Sequence, residues 1–251
     1  FLGDKLKNNI CKLNAAGHVV WAKKYAMDKG TFGPLAVTSS ASSLYIITAG
    51  SGDGSASIRV DKNSGALLNS YNFRSTYSGS VYRRYAKFEK GKLLYVGGTS
   101  DNDAVFAMMV FDSTAKPVKM RTITNISSVR AASIQDGKIY ATCHYFSGLS
   151  PREVVLKADS DLNLEFFKEY DNDGYRYAKS LDVSPEGNIY VTGNILRIDE
   201  AYSYFIKYDE NGNELWAKAF DGDYNAQVIR INFDCSGNML LSGAYSGKKV
   251  I

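Results

Sequence analysis

Apolar and polar residues alternate with a period of two along most of the chain, and short runs rich in Gly, Asn, Asp and Ser interrupt the alternation at regular intervals. One phrase recurs every 46 to 50 residues: Ser43-Leu-Tyr-Ile-Ile-Thr-Ala-Gly50, Gly91-Lys-Leu-Leu-Tyr-Val-Gly-Gly98, Gly137-Lys-Ile-Tyr-Ala-Thr-Cys143, Gly187-Asn-Ile-Tyr-Val-Thr-Gly193 and Gly237-Asn-Met-Leu-Leu-Ser-Gly243. A second phrase travels with it, two alternating strands joined by an Asp/Asn-x-x-Gly turn. Its fullest copy runs from Phe205 to Phe220, and others run from Ile10 to Tyr25 and from Ile58 to Tyr71. Weaker copies span Val110 to Ile123 and Val155 to Tyr170. Trp21 and Trp216 fall at the same place in their copies. Helical periodicity is absent, so no helix longer than two turns is expected.

Each unit therefore holds four strands, a to d. A period near 48 is too long for a helical-pair repeat of about 34 residues and fits a four-stranded propeller blade. Apolar residues on both faces, as in Leu44-Tyr-Ile-Ile47, suit blades packed between two neighbours. The expected fold is all-β, a β-propeller of four-stranded antiparallel blades forming one domain over residues 1–251. Four units are complete in sequence, at 34–73, 80–123, 127–170 and 175–220. A fifth is composite, with strands a and b from 226–245 and strands c and d from 8–25, which removes the open edge of the ring. Lys248-Lys-Val-Ile251 looks like the start of a further c strand that would compete with residues 8–14, and is either a short tail or a sign that the chain is part of a longer array. With Phe1 in first place, the sequence reads as a processed form or an excerpt of a longer array.

Several of these residues resemble the bacterial β-propeller repeat of the SBBP type: Ile206-Lys-Tyr-Asp209, Gly212, Trp216, Glu186-Gly-Asn-Ile-Tyr-Val-Thr-Gly193 and Ser236-Gly-Asn238. The resemblance covers nearly the whole chain, but only two units keep the Trp, and the others carry Asn69, Lys119 or Phe166 there. It implies a secreted or surface-attached protein and is nearly silent on activity. Quinoprotein dehydrogenases are related propellers with a recurring Trp, but the calcium-bound quinone site they need is not recognisable in these residues.

Composition changes the picture little. The chain is 45% hydrophobic and 22% charged, which excludes disorder and a disulfide framework, and no apolar run is long enough to span a membrane as a helix. A formal net charge of +4 with both signs interspersed gives no ground for nucleic-acid binding. Cys11, Cys143 and Cys235 are far apart and form no C-x-x-C pair, so buried thiols are expected rather than a zinc or redox centre. Only two histidines exist, His18 in a turn and His144 at the end of a strand, and both read as surface or packing residues. Gly50-Ser-Gly-Asp-Gly54 joins strands and opens no helix, so it makes no phosphate cradle. Asp101/Asp103, Asp171/Asp173 and Asp221/Asp223 read as turn formers, with calcium ligation or a glycosidase carboxylate pair as alternatives.

The most suggestive chemistry is basic and aromatic. Tyr82, Arg84, Arg130, Arg176, Tyr177 and Lys179 lie in the loops entering strand a or in its first residues, which in a propeller face the central channel. Aligned on the apolar pairs Ala86/Phe88, Ala132/Ile134 and Leu181/Val183, residues Arg84, Arg130 and Lys179 occupy one position, with Ile229 and Gly33 in the other units. Convergent guanidiniums suit a carboxylate or phosphate, and tyrosine faces suit a sugar. The reading is a non-catalytic binding or scaffold module for an acidic glycan, another anion or a protein partner, without cofactor or metal, and extracellular or on the cell surface. The alternatives are a propeller-type glycosidase or lyase, or a structural element of a larger surface assembly. Replacing Arg84 and Arg130 is expected to weaken anion binding and leave stability nearly unchanged.

Overall fold

The computed structural model describes residues 7–26, 32–50, 55–73, 84–98, 105–146, 151–170, 175–196, 201–220, 226–234 and 236–245. Every element among them is a β-strand. The first complete blade holds β3 (Phe32–Ser39), β4 (Ser43–Gly50), β5 (Ser55–Asp61) and β6 (Leu67–Phe73). The second holds β7 (Arg84–Glu89), β8 (Lys92–Gly98), β9 (Val105–Phe111) and β10 (Pro117–Thr124). The third holds β11 (Ile126–Gln135), β12 (Lys138–Phe146), β13 (Pro151–Ala158) and β14 (Leu164–Tyr170). The fourth holds β15 (Tyr175–Val183), β16 (Ile189–Leu196), β17 (Ala201–Tyr208) and β18 (Glu214–Phe220). Each is a four-stranded antiparallel meander in the order a-b-c-d. Strands β3, β7, β11 and β15 lie each against the next, and β15 lies against β19 (Ala226–Phe233), so strand a is innermost and the architecture is a β-propeller.

Two further sheets have two strands each. One is β1 (Lys7–Leu13) with β2 (Val19–Ala26), a c-d pair, and the other is β19 with β20 (Met239–Tyr245), an a-b pair. The strand content therefore amounts to about five blades. Among the described residues no ladder joins the two half-blades. Lys248–Ile251, Cys235 and the three aspartate pairs lie outside the described residues, as do residues 51–54.

Alternation explains why these strands sit between neighbours. Leu94 and Val96 on β8 pack with Val129, Ile139 and Leu156 of the third blade, while Leu93 and Tyr95 face the other way onto Tyr45 and Ile47 of the first. Each face of a middle strand is thus buried against a different blade.

The c-d turns are self-contained. In the fourth blade the Asp209 carboxylate accepts the N–H groups of Asn211 and Asn213 at 2.9 and 2.8 Å, and the Gly212 N–H donates to the Asp209 carbonyl at 3.0 Å. Bonds from the Asn213 side chain and backbone hold the Asp209 carboxyl below its ordinary range. Gly212 (φ 75°) and Gly65 (φ 68°) occupy the left-handed position, but Ala115 (φ 72°) and Leu162 (φ 63°) hold it in the second and third blades. The preceding blade decides which residue stands there. A Cβ on Gly65 would lie 2.8 Å from the Trp21 ring, and one on Gly212 2.7 Å from the Phe166 ring. Where the preceding d strand instead carries Asn69 or Lys119, the turn carries Ala115 or Leu162, each fully buried. At these four joints the carbonyl of this residue accepts a bond from the blade before: Gly65 from the Tyr25 hydroxyl, Ala115 from Ser57, Leu162 from Arg121 and Gly212 from Tyr170.

Candidate functional site

The inner strands carry a shared irregularity. The ladder skips one residue of strand a in four units, between Pro34 and Ala36, Val129 and Ala131, Ala178 and Ser180, and Val228 and Arg230. The residues left without an opposite partner are Leu35, Arg130, Lys179 and Ile229. A bulge releases its residue from the pleat and re-aims the side chain. The sequence alignment of Arg130, Lys179 and Ile229 is therefore structural, whereas the first unit contributes Leu35 and not Gly33, which pairs with Ala49. In β7 the ladder is unbroken, and Arg84 stands opposite Gly97. The Arg84 side chain and all of Tyr82 lie outside the described residues.

Arg130, Arg176 and Tyr177 do come together, at the seam between the third and fourth blades. Arg130 Nη2 lies 3.0 Å from His144 Nδ1, and its guanidinium carbon is 5.0 Å from the centre of the Tyr177 ring. A guanidinium only donates, so His144 Nδ1 accepts and its Nε2–H donates to the Arg176 carbonyl at 2.8 Å. The tautomer is thereby fixed and the imidazole is neutral. Burial, then the Arg130 charge, press the His144 pKa down to about 4, against the Arg176 carbonyl, which favours the proton. Lys179, on the same strand as Arg176 and Tyr177, is partly buried.

Behind this row lies a carboxyl that the sequence reading passed over. Glu153 on β13 stands opposite His144 in the ladder and is only 3% exposed. The Tyr204 hydroxyl of the fourth blade donates to the Glu153 carboxylate, 3.0 and 2.9 Å from its two oxygens. The Arg176 guanidinium sits over the Tyr204 ring at 5.6 Å. Burial pushes Glu153 up to about 7, although the Tyr204 hydroxyl, Arg176 and Arg130 all pull it down. Buried Cys143, beside His144 on β12, is pushed well above the ordinary thiol value, mainly by desolvation, and is chemically inert there. Gly193 makes room for the arrangement: a Cβ on it would lie 2.1 Å from the Tyr177 carbonyl oxygen and 2.7 Å from the Tyr204 ring. A signal for Glu153 does exist in the sequence, a charge opening the apolar run Glu153-Val-Val-Leu156. Nothing in that run names its partner 51 residues away.

The pair titrates in opposing senses. His144, depressed in the folded state, makes stability fall as pH drops from 6.5 towards 4, because the unfolded chain takes up the proton first. Glu153, raised in the folded state, makes stability fall as pH rises from 4.5 towards 7. Between pH 4.5 and 6.5 the two slopes cancel. In a Glu153→Gln variant only the His144 slope survives, so stability is expected to increase by up to about 1.4 kcal/mol per pH unit across that window, relative to the wild type. Urea unfolding at pH 4.5, 5.5 and 6.5 measures this, and parallel profiles for the two proteins would refute the assignment.

Among the described residues no group of three or more His, Cys, Asp or Glu side chains is placed to hold a metal ion. The chemistry available is charge recognition. Two cations, Arg130 and Arg176, act on one carboxyl whose burial favours its neutral form, and Lys179 lies on the same inner strand as Arg176.

No protein-family model matches the sequence, and no curated protein matches it. Similarity appears in the fold. The chain is similar to a structure described as the Dos1 propeller, with TM-score 0.63, 15% identity and 94% of this chain covered. It is similar to hydrazine synthase of Kuenenia stuttgartiensis, with TM-score 0.64, 12% identity and 91% covered. It is also similar to the quinohemoprotein alcohol dehydrogenase of Comamonas testosteroni, with TM-score 0.56, 10% identity and 93% covered. The chain spans 60%, 66% and 43% of those three structures respectively. At these identities the likeness establishes the β-propeller fold and nothing finer.

Proposed function

We propose that this propeller is a non-catalytic binding module that takes an anionic group, such as the carboxylate of an acidic glycan, at the inner-strand ends of its third and fourth blades. The observation that carries the reading is the gathering of positive charge there among the described residues: the Arg130 and Arg176 guanidiniums both act on Glu153, whose burial favours its neutral form, and Lys179 lies three residues along the strand from Arg176. Arg176 Nε is buried without a hydrogen-bond partner among the described residues. An incoming oxyanion would relieve the repulsion and supply charge-assisted bonds, and Tyr177 offers a ring beside it. Burial of Glu153 and its bond to Tyr204 speak for a structural carboxyl rather than an acid or nucleophile open to substrate. The resemblance to secreted repeat proteins supports an extracellular or cell-surface setting.

Oligogalacturonate is a suitable probe. Calorimetry is expected to show weak binding that declines as salt rises, since the Debye length is about 8 Å at physiological ionic strength. Lys179→Ala is expected to weaken it by about 1–3 kcal/mol, roughly 5- to 150-fold. Equal binding of the fully methyl-esterified oligomer, or an unchanged affinity in the variant, would sink the proposal. Arg130→Ala is a poorer test than the sequence suggests. It strips the donor from buried His144 Nδ1, so it is expected to cost about 1–3 kcal/mol of stability, read as a lowered urea midpoint, instead of leaving stability unchanged.

A further inference from the structure

Two surfaces that no described residue covers are complementary to each other. Leu13 is 52% exposed, Leu240 58%, Leu241 47% and Val37 54%. Their counterparts at the joints that are formed, Tyr208, Tyr190, Val191 and Ile231, are all buried. At the joint between the fourth blade and β19, Tyr190 and Phe205 pack on Ile231. Leu240, Ile10 and Val37 hold the same three places at the remaining joint. There Ile10 packs towards the first blade, and among the described residues no strand b completes the contact.

The size rule of the c-d turns points the same way. Trp21 needs Gly65 and Phe166 needs Gly212, whereas smaller or flexible predecessors leave room for Ala115 and Leu162. Trp216 ends this series on the fourth blade, and the turn of β1 and β2 carries Gly17 (φ 81°), over which nothing lies within 4 Å. A second contact recurs. Lys12 donates to the Lys62 carbonyl and Lys157 to the Glu210 carbonyl, in each case one residue past the acidic residue that opens the next blade's turn. Lys207 is the corresponding lysine of the fourth blade, and Ala15 is the corresponding turn residue. Trp216 and Lys207 thus hold the places whose counterparts in the other blades contact the next turn, and Gly17 and Ala15 are the matching turn residues.

We infer that the uncovered side of the fourth blade and the free edge of β20 are the docking site for this chain's own β1–β2 hairpin. Trp216 then lies over Gly17, Lys207 reaches the Ala15 carbonyl, and β1 pairs with β20. The register follows from the fourth blade, where Ile189, Tyr190 and Val191 face Tyr208, Lys207 and Ile206. It sets Met239 opposite Leu13, Leu240 opposite Lys12 and Leu241 opposite Cys11. The occupant is the hairpin of the same molecule, because that hairpin already rests on the first blade through Trp21 and Gly65 and so reaches the seam from its other side.

Cys11 is exposed and Cys143 is buried, so the register can be tested by cross-linking. In the full chain carrying Leu241→Cys and Cys235→Ser, mild copper–phenanthroline oxidation is expected to join Cys11 to the introduced thiol within one molecule. The product should be a monomer on a non-reducing gel, with the linked peptide pair found by mass spectrometry. Disulfide-linked dimers as the main product would overturn the inference in favour of a second copy as the occupant. Two thiols that stay reduced and open to maleimide would overturn it outright. Hydrogen exchange on the wild type provides a measurement free of substitutions. Amides of β1 and β20 are expected to exchange as slowly as those of β16 and β17, and fast exchange along both strands would overturn the pairing.

Discussion

Glu153→Ala is expected to cost about 3–5 kcal/mol, enough to bring a domain of ordinary stability close to unfolding at room temperature. The carboxyl accepts the Tyr204 hydroxyl, and two guanidiniums are close enough to act on its titration. Its removal leaves a buried hydroxyl without an acceptor and, at pH 7.5, takes away the carboxylate charge on which Arg176 and Arg130 act. Glu153→Gln keeps the shape and an acceptor for Tyr204 but loses the charge, and is expected to cost less. Urea midpoints of the two variants at pH 7.5 separate these effects. If alanine and glutamine prove equally mild, Glu153 is a spectator and the charge account of the seam fails.

The second large effect belongs to Gly193→Ala. The new methyl would meet the Tyr177 carbonyl oxygen at 2.1 Å, a backbone atom that cannot turn aside, as well as the Tyr204 ring at 2.7 Å. Overpacking typically costs about 1–3 kcal/mol, and a clash with the backbone belongs at or above the top of that range. The same substitution at Gly97, the equivalent position of the second blade, meets only the tip of the Tyr95 side chain at 2.5 Å and its ring. That side chain can shift, so Gly97→Ala should cost less. Thermal melts of the two variants check the order. A smaller loss at Gly193 than at Gly97 would show that the Tyr177 backbone yields.

Much of the scaffold is legible in the sequence because its causes are local. Alternation marks the strands, the Asp209-type turn closes on its own side chain, and the recurrence of strand b sets the count of units. The alignment of Arg130 with Lys179 is legible for the same reason, since the apolar pairs that follow them are in phase. What escapes the sequence depends on the neighbouring blade. Leu162 in a left-handed position looks like a defect in the repeat until the Lys119 strand is seen beside it, leaving space that an aromatic ring would have filled. Glu153 looks like a stray charge in an apolar strand until Tyr204 arrives from the next unit. Leu35 was hidden by its own bulge, because Leu35 and Val37 offer an apolar pair two residues early and the alternation cannot show that one residue drops out of the ladder.

The bulged residue shared by four of the inner strands has a consequence for how such a molecule changes over generations. A side chain outside the ladder contributes no cross-strand pair, so its identity is uncoupled from the register of the sheet that carries it. Leucine, arginine, lysine and isoleucine fill the four equivalent places in this one chain. Duplicated units can therefore drift apart in charge at the channel while remaining interchangeable as building parts. A lineage can retune what its propeller attracts one unit at a time, by single substitutions that leave folding intact. Arg130 marks the limit of that freedom, since its bond to His144 has tied one variable position back into the scaffold.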